Sequence, residues 1–321
     1  MTFDGIWGQD PALQTLKRAL TSGHVHHAYR FEGPDGVGKE LTAFRLAQAL
    51  VCGESPLGCG VCSACERAIS LSAEAPHLPR HPDVVLLGRG LYASVTGQSE
   101  AGGIGVEQIR KVIQSRVGYG PHEGRALVFI VRDAEELTLQ AANSLLKTLE
   151  EPPPATHFVL LSSRPNRLLD TIRSRTLPVR FAPLPDATVA QLLRERGLDE
   201  QVASLAQGSM TRALLLCDPD SLAERQAFLS GIAAALAAPD LSATTRFAES
   251  NKGSRDVIKQ SLGYYAQELS IQARRELEAE PREAERAARR HGVVLEAMNE
   301  IERNVQPALV LESMLYRLRR V

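Results

Sequence analysis

The stretch Gly33-Pro34-Asp35-Gly36-Val37-Gly38-Lys39-Glu40 has the residue types to hold a phosphate. Phosphate-binding loops read Gly, four residues, Gly-Lys, then Ser or Thr. The glycines let backbone N–H groups wrap the phosphate, the lysine neutralises it, and the final hydroxyl holds Mg²⁺. Gly33, Gly36, Gly38 and Lys39 satisfy the pattern; Glu40 breaks it at the metal position. A carboxylate there points towards the β- and γ-phosphates. At roughly 4–5 Å and an effective dielectric of about 20, the repulsion is roughly 3–4 kcal/mol before any metal relieves it. The expectation is a nucleotide site whose catalytic half has been dismantled, with ATP or phosphate binding left open and hydrolysis not expected.

A second constellation is Cys52, Cys59, Cys62 and Cys65, spaced C-x6-C-x2-C-x2-C. Zn²⁺ takes four thiolates in a tetrahedron. In a chain without an export signal, such a cluster points to metal before disulfides. A structural zinc is expected, stiffening an insertion too small to pack a core of its own. The fifth cysteine, Cys217, lies in an apolar helical run and reads as core. His24, His26 and His27 lack further ligands at metal spacing and read as a packed or solvated loop.

These groups need a scaffold, and the hydrophobic pattern supplies one. Ala28–Glu32 reads as the strand before the phosphate loop, and Ala43, Leu46, Ala47 and Leu50 behind it form a helical stripe. Upstream, Gly8-Gln9-Asp10 and Pro11 open a helix carrying Leu13, Leu16 and Leu20. Residues 83–87, 126–131, 157–161 and 177–181 read as further buried strands. Apolar runs alternating with helices predict a parallel five-stranded sheet covered on both faces. The Gly- and Ser-rich stretch 88–105 reads as a loop, and 106–117 as a helix. Thr138 is placed to cap a helix with Ala142, Leu145, Leu146 and Leu149 inside, which Pro152, Pro153 and Pro154 stop.

From Asp186 the strand signal vanishes. Helices are expected at 186–197 and 200–208, and the remainder from Ser221 is helical by pattern. Val294, Met298, Ile301 and Val305 give one stripe, and Pro307 opens a last helix with Leu311, Met314, Leu315 and Leu318. The charged run 276–290 reads as a solvated helix face. A net charge of −1 advertises no basic field for nucleic acid, so any DNA contact must be local, with Arg110 and Lys111 as guesses. No cationic and apolar leader opens the chain, and no run reaches 18 apolar residues, so neither export nor a membrane is expected.

Several further runs carry a resemblance. Asn143-Ser144-Leu145-Leu146-Lys147-Thr148-Leu149-Glu150-Glu151-Pro152-Pro153 resembles the clamp-loader branch of the AAA+ ATPases, specifically that of the bacterial DNA polymerase III clamp loader. So does Ser174-Arg175-Thr176, whose family form is Ser-Arg-Cys. Gly8-Gln9, His26-His27-Ala28-Tyr29 and the four cysteines extend the match over residues 5–217, and 304–312 echoes it in the tail. The resemblance implies an AAA+ P-loop domain over 1–182 with the zinc module at 52–65, an α-helical lid over 183–217, and an α-helical collar over 218–321. It implies a cytoplasmic replisome subunit within the polymerase III holoenzyme, a DNA-directed DNA polymerase. Its partners would be gamma/tau and delta subunits through the collar and AAA+ faces, with the sliding clamp and primer-template DNA.

The resemblance also separates motor from stator. Aligned back from Leu137, the family's metal-binding Asp and water-activating Glu fall on Arg132 and Asp133, and Thr211 stands where motors carry a sensing Arg, with Arg212 one residue away. Glu40, Arg132 and Thr211 read as three independent losses. Arg175 keeps the family's arginine finger, which reaches a γ-phosphate held by a neighbouring subunit and is worth about 10³–10⁵ in rate. The competing reading makes it one more surface cation beside Arg164, Arg167, Arg173 and Arg180. The expected function is therefore a non-hydrolysing stator that supplies Arg175 in trans while the loader places the clamp on DNA. The alternative is an ATP-hydrolysing gamma/tau-type motor with Glu40 and Asp133 as unusual metal ligands. The end of the chain at Val321, without a polymerase-binding extension, leans against the motor. A free-standing zinc and nucleic-acid module is disfavoured, because neutral charge and 5% aromatics offer neither counterion release nor stacking.

Overall fold

The computed structural model describes residues 3–92, 103–251, 253–303 and 305–321. The chain divides into two compact units, Met1–Ala213 and Leu214–Val321.

In the first unit five strands form one sheet: β1 (Ala28–Glu32), β2 (Val84–Leu87), β3 (Leu127–Val131), β4 (Thr156–Ser162) and β5 (Leu177–Arg180). Every pairing is parallel and the order is β2-β3-β4-β1-β5. The apolar runs are continuous because both faces are covered. On one face Tyr29, Phe31, Leu86, Ile130 and Val159 pack with the helices Asp10–Ser22 and Lys39–Val51. On the other, Leu87, Phe129, Phe158 and Leu160 pack with residues 106–117 and the helix Leu139–Glu150. Thr138 caps that last helix by accepting from the Ala141 amide. The edge strand β5 buries only Val179.

Two features depart from the sequence pattern. Helix 106–117 carries a π-helical turn, Ile109–Gln114, which aims Ile109, Val112 and Ile113 inward. Within the stretch 88–105, residues 93–102 lie outside the described residues, as does Asn304. Ile104, at the end of that stretch, is not loose: it is fully buried, and its backbone is bonded on both sides, to Glu136 and Thr138.

The unit continues through Asp186–Glu195, a 3₁₀ segment Glu200–Ala206, and the start of Met210–Cys217. Cys217 is half-buried, a correction to its reading as core. The second unit is helical throughout: Pro219–Ala237, Ser242–Ser250, Arg255–Glu276, Pro281–Glu302 and Pro307–Leu318. Phe228, Leu262, Val294, Ile301, Leu311 and Leu315 form its core, with Met298 and Val305 at the margin. Pro281 and Pro307 each stand at a helix start, where the missing N–H costs nothing. The charged run 276–290 is thus split by a break before Pro281; it is largely exposed, with Ala284 and Ala287 turned inward.

Candidate functional site

Because all strands run the same way, the segments leaving β1, β3 and β4 meet at the carboxyl edge of the sheet, where α/β folds hold ligands. The glycine-rich loop leaves β1 there and enters the Lys39–Val51 helix through Gly38 in the left-handed conformation. Gly36 has no room for a side chain: a Cβ would lie 2.4 Å from Ser209 Oγ and 2.6 Å from the Thr211 amide nitrogen. Its carbonyl accepts from the Met210 amide at 2.8 Å, tying the loop to the 210–217 helix. Gln9, fully buried, donates to Val37 O and Ala182 O and accepts from the Ala182 amide, locking loop to strand exit. Lys39 Nζ donates to Gly33 O and Pro34 O at 2.6 Å each and lies 3.4 Å from Asp35 Oδ1. Burial pulls its ammonium below the ordinary lysine range, against the attraction of Asp35. The loop's own carbonyls therefore occupy the cation that would meet a phosphate.

A cavity of about 450 Å³ opens over this loop, lined by Trp7, Lys39, Glu40, Arg132, Asp133 and Thr211 among others. Glu40 and Arg132 are not independent departures, as the sequence suggested, but partners. Arg132 donates through Nε to Glu40 Oε2 and through Nη2 to Oε1, the latter at 2.6 Å. This is the parallel fork that arginine and a carboxylate form. Donating these hydrogen bonds to Glu40 holds the guanidinium even more firmly protonated. Glu40 therefore presents a neutralised pair to the cavity and not the bare repulsive charge expected. Asp133 follows in a left-handed conformation, and burial with Glu135, Asp35 and Glu136 nearby raises its carboxyl above the ordinary range. Thr211 lines the cavity, whereas Arg212 donates to Gln207. Arg196, absent from the sequence reading, supplies a cation to the cavity wall.

Glu135 was also missed. Its side chain is 2% exposed and accepts from Ser163 N, Ser163 Oγ and Arg164 N, pinning the segment after β4 to the turn after β3. These bonds outweigh the burial that opposes them and hold the carboxyl below its ordinary range.

Arg175 lies on the short turn between helix Asp170–Arg173 and β5. Its guanidinium is half-exposed, reaching Glu150 Oε1 at 2.6 Å, Thr171 O at 3.0 Å and Ser174 Oγ at 3.2 Å. Glu150 closes the Leu139–Glu150 helix, so the two motifs behind the family resemblance meet in this contact.

The four cysteines converge. Their Sγ atoms all lie within 4.8 Å of one another, with Cys52–Cys62 at 4.0 Å and Cys59–Cys65 at 3.8 Å. Four thiolates about 2.3 Å from one Zn²⁺ stand about 3.8 Å apart, so the set fits. Amides of Cys59, Cys62 and Cys65 donate to the sulfurs of Cys52, Cys59 and Cys62. Burial works against the Cys52 thiolate, yet the Cys59, Glu54 and Ser55 backbone holds its pKa down at about 6; burial pushes Cys65 upward. Cys52 directly follows the phosphate-loop helix and Gln48 donates to Cys65 O, which anchors the module to that helix. His26 and His27 stack on each other near β1.

A five-stranded parallel sheet in this order, with a glycine-rich loop between β1 and a helix N-terminus, is an AAA+ P-loop core, here followed by a helical region. Residues 8–185, more than half of the chain, match the sequence profile of the family described as DNA polymerase III, delta subunit, and the chain belongs to that family. It is 37% identical over 194 residues to the DNA polymerase III subunit gamma/tau of Mycobacterium tuberculosis H37Rv, covering 60% of this chain and 30% of that protein. The subunit tau of Escherichia coli K12 is 32% identical over 230 residues, 68% of this chain and 32% of the relative. The subunit delta' of Bacillus subtilis 168 is 29% identical over 223 residues, 68% of this chain and 62% of the relative. The match thus spans about a third of the gamma/tau proteins and under two thirds of the delta' protein. Among the described residues, no helix is long and apolar enough to cross a membrane.

Proposed function

We propose that this chain is a stator of the delta-prime type in the DNA polymerase III clamp loader: it does not hydrolyse ATP itself but completes a neighbour's ATPase site with Arg175. The observation that carries the reading is the Glu40–Arg132 bridge. Mg²⁺ on a P-loop nucleotide needs a hydroxyl at one of these positions and an acid at the other. Here a guanidinium replaces the acid and a carboxylate the hydroxyl, and the two are paired with each other.

The reading divides the chain into an AAA+ domain over 1–182, a lid over 183–217 and a collar over 218–321. The collar and the AAA+ faces meet gamma/tau and delta subunits around the sliding clamp and primed DNA, in the cytoplasm. Cys52, Cys59, Cys62 and Cys65 hold a structural zinc, which contributes cross-linking and no chemistry.

The higher identity to gamma/tau relatives favours a second reading, an ATP-hydrolysing motor. That reading needs Glu40 as a metal ligand, and both of its oxygens are engaged by Arg132. The deciding experiment is Mg·ATP binding by the isolated chain, beside Lys39→Ala, and turnover in a loader whose other subunits lack their own loop lysine. No Mg-dependent binding and no turnover are expected. Tight binding lost in Lys39→Ala, with turnover in that loader, would make the chain a motor.

A further inference from the structure

Arg30 is a guanidinium inside a buried strand. It sits in the middle of β1, paired with Leu160 of β4 and Pro178 of β5, and is 6% exposed. Such a residue must find partners for its donors. Nε donates to Glu32 Oε1 at 2.6 Å. Nη1 donates to Arg173 O at 2.9 Å and Thr176 Oγ1 at 2.7 Å, and stands 3.5 Å from Thr176 O. Residues 173 and 176 bracket Arg175. Thr176, itself buried, passes its single hydroxyl proton to Ile172 O at 2.9 Å. One side chain rooted in the sheet thus grips both ends of the turn that carries Arg175, and donates to a carbonyl at the end of the 170–173 helix. Glu150 holds the tip of Arg175 from the other side.

We propose that Arg30 is a positioning residue for the Arg175 finger, acting through the Thr176 hydroxyl. This rests on the reading of Arg175 as a finger acting in trans. A group that must meet charge developing on another subunit's phosphate gains from a base that does not move, because a misplacement of about 1 Å can cost about 10²-fold. The Thr in place of the family's Cys is then a working part: its hydroxyl accepts from Arg30, where a thiol would accept only weakly.

The test uses the reconstituted loader with Thr176→Val, which keeps the volume and removes the hydroxyl, and Thr176→Ser, which keeps the hydroxyl. Each is made with and without Arg175→Ala. The paired change Arg30→Met with Glu32→Gln removes the grip without stranding a buried charge. ATP turnover by the neighbouring subunits is read as kcat and KM, with subunit assembly and thermal unfolding measured alongside. Thr176→Val should lower kcat at the site this chain completes about 10-fold with KM unchanged, and Thr176→Ser should retain it. In the Arg175→Ala background neither variant should lower kcat further. Full turnover with Thr176→Val in an assembled loader, or an equal loss in both backgrounds, would overturn the positioning role. Unchanged turnover with Arg175→Ala alone would instead remove the finger reading on which it stands.

Discussion

Glu40 and Arg132, separated by 92 residues, close a two-pronged bridge over the phosphate loop. Each residue alone looks like a defect in a nucleotide site. On the stator reading proposed above, together they are one substitution of an internal ion pair for a bound metal. Both side chains are about a third exposed, so the bridge adds about 1 kcal/mol or less to stability.

Reversing that substitution should need both positions. Glu40→Thr alone leaves an unmatched guanidinium, and Arg132→Asp alone sets two carboxylates against each other. The double variant Glu40→Thr/Arg132→Asp should bind Mg·ATP at least about 10-fold more tightly than the sum of the two single effects gives, a coupling of about 1.4 kcal/mol or more. Titration with a fluorescent ATP analogue, with and without Mg²⁺, measures this. Additive single effects would mean that the bridge is not what excludes the metal.

Arg175→Ala should leave the chain folded and assembling, because the side chain is half-exposed and its contacts lie at the surface. The loader's ATPase should fall by about 10³-fold or more at the site this chain completes, if one finger serves one site. Single-turnover hydrolysis in the reconstituted complex reads it directly, and an unchanged rate would return Arg175 to the status of a surface cation.

Purified chain should carry one Zn²⁺ held by Cys52, Cys59, Cys62 and Cys65, detected by elemental analysis. Cys59→Ser should release it and lower the unfolding temperature of the first unit, because the sulfur cluster joins the 39–51 and 63–69 helices. Metal-free protein with unaltered unfolding would refute the assignment.

Acid should weaken the first unit before carboxylates titrate. His157 is half-buried at the start of β4, and the partial burial of its ring, with His27 and His26 beside it, lowers its pKa from the ordinary 6.5, although the His26 carbonyl opposes this. The folded chain thus keeps His157 neutral where the unfolded chain takes up a proton. Stability is complete above about pH 6.5 and declines as pH falls through that value towards the lower folded pKa. Unfolding temperatures at pH 7.5 and 5.5 should differ less in His157→Gln than in the parent chain; an identical difference would exclude His157 as a source.

The sequence by itself determined whatever depends on neighbours along the chain. Apolar runs located all five strands to within a residue or two, Pro307 marked a helix start, and the cysteine spacing was short enough to announce convergence. The glycines and Lys39 announced a phosphate loop in the same way. The partner of Glu40 was not legible, because it depends on the strand order, which brings the exits of β1 and β3 to one edge with β4 between them. Arg30 was visible only as one polar residue in an apolar strand; β5 had to lie beside β1 before its donors could reach Arg173 and Thr176. Glu150 and Arg175 stood in two separate motifs until the tertiary fold made them neighbours. Periodicity and turn chemistry act over a few residues and are written locally. Buried charges choose their partners across the sheet, and only the fold decides which partners are in reach.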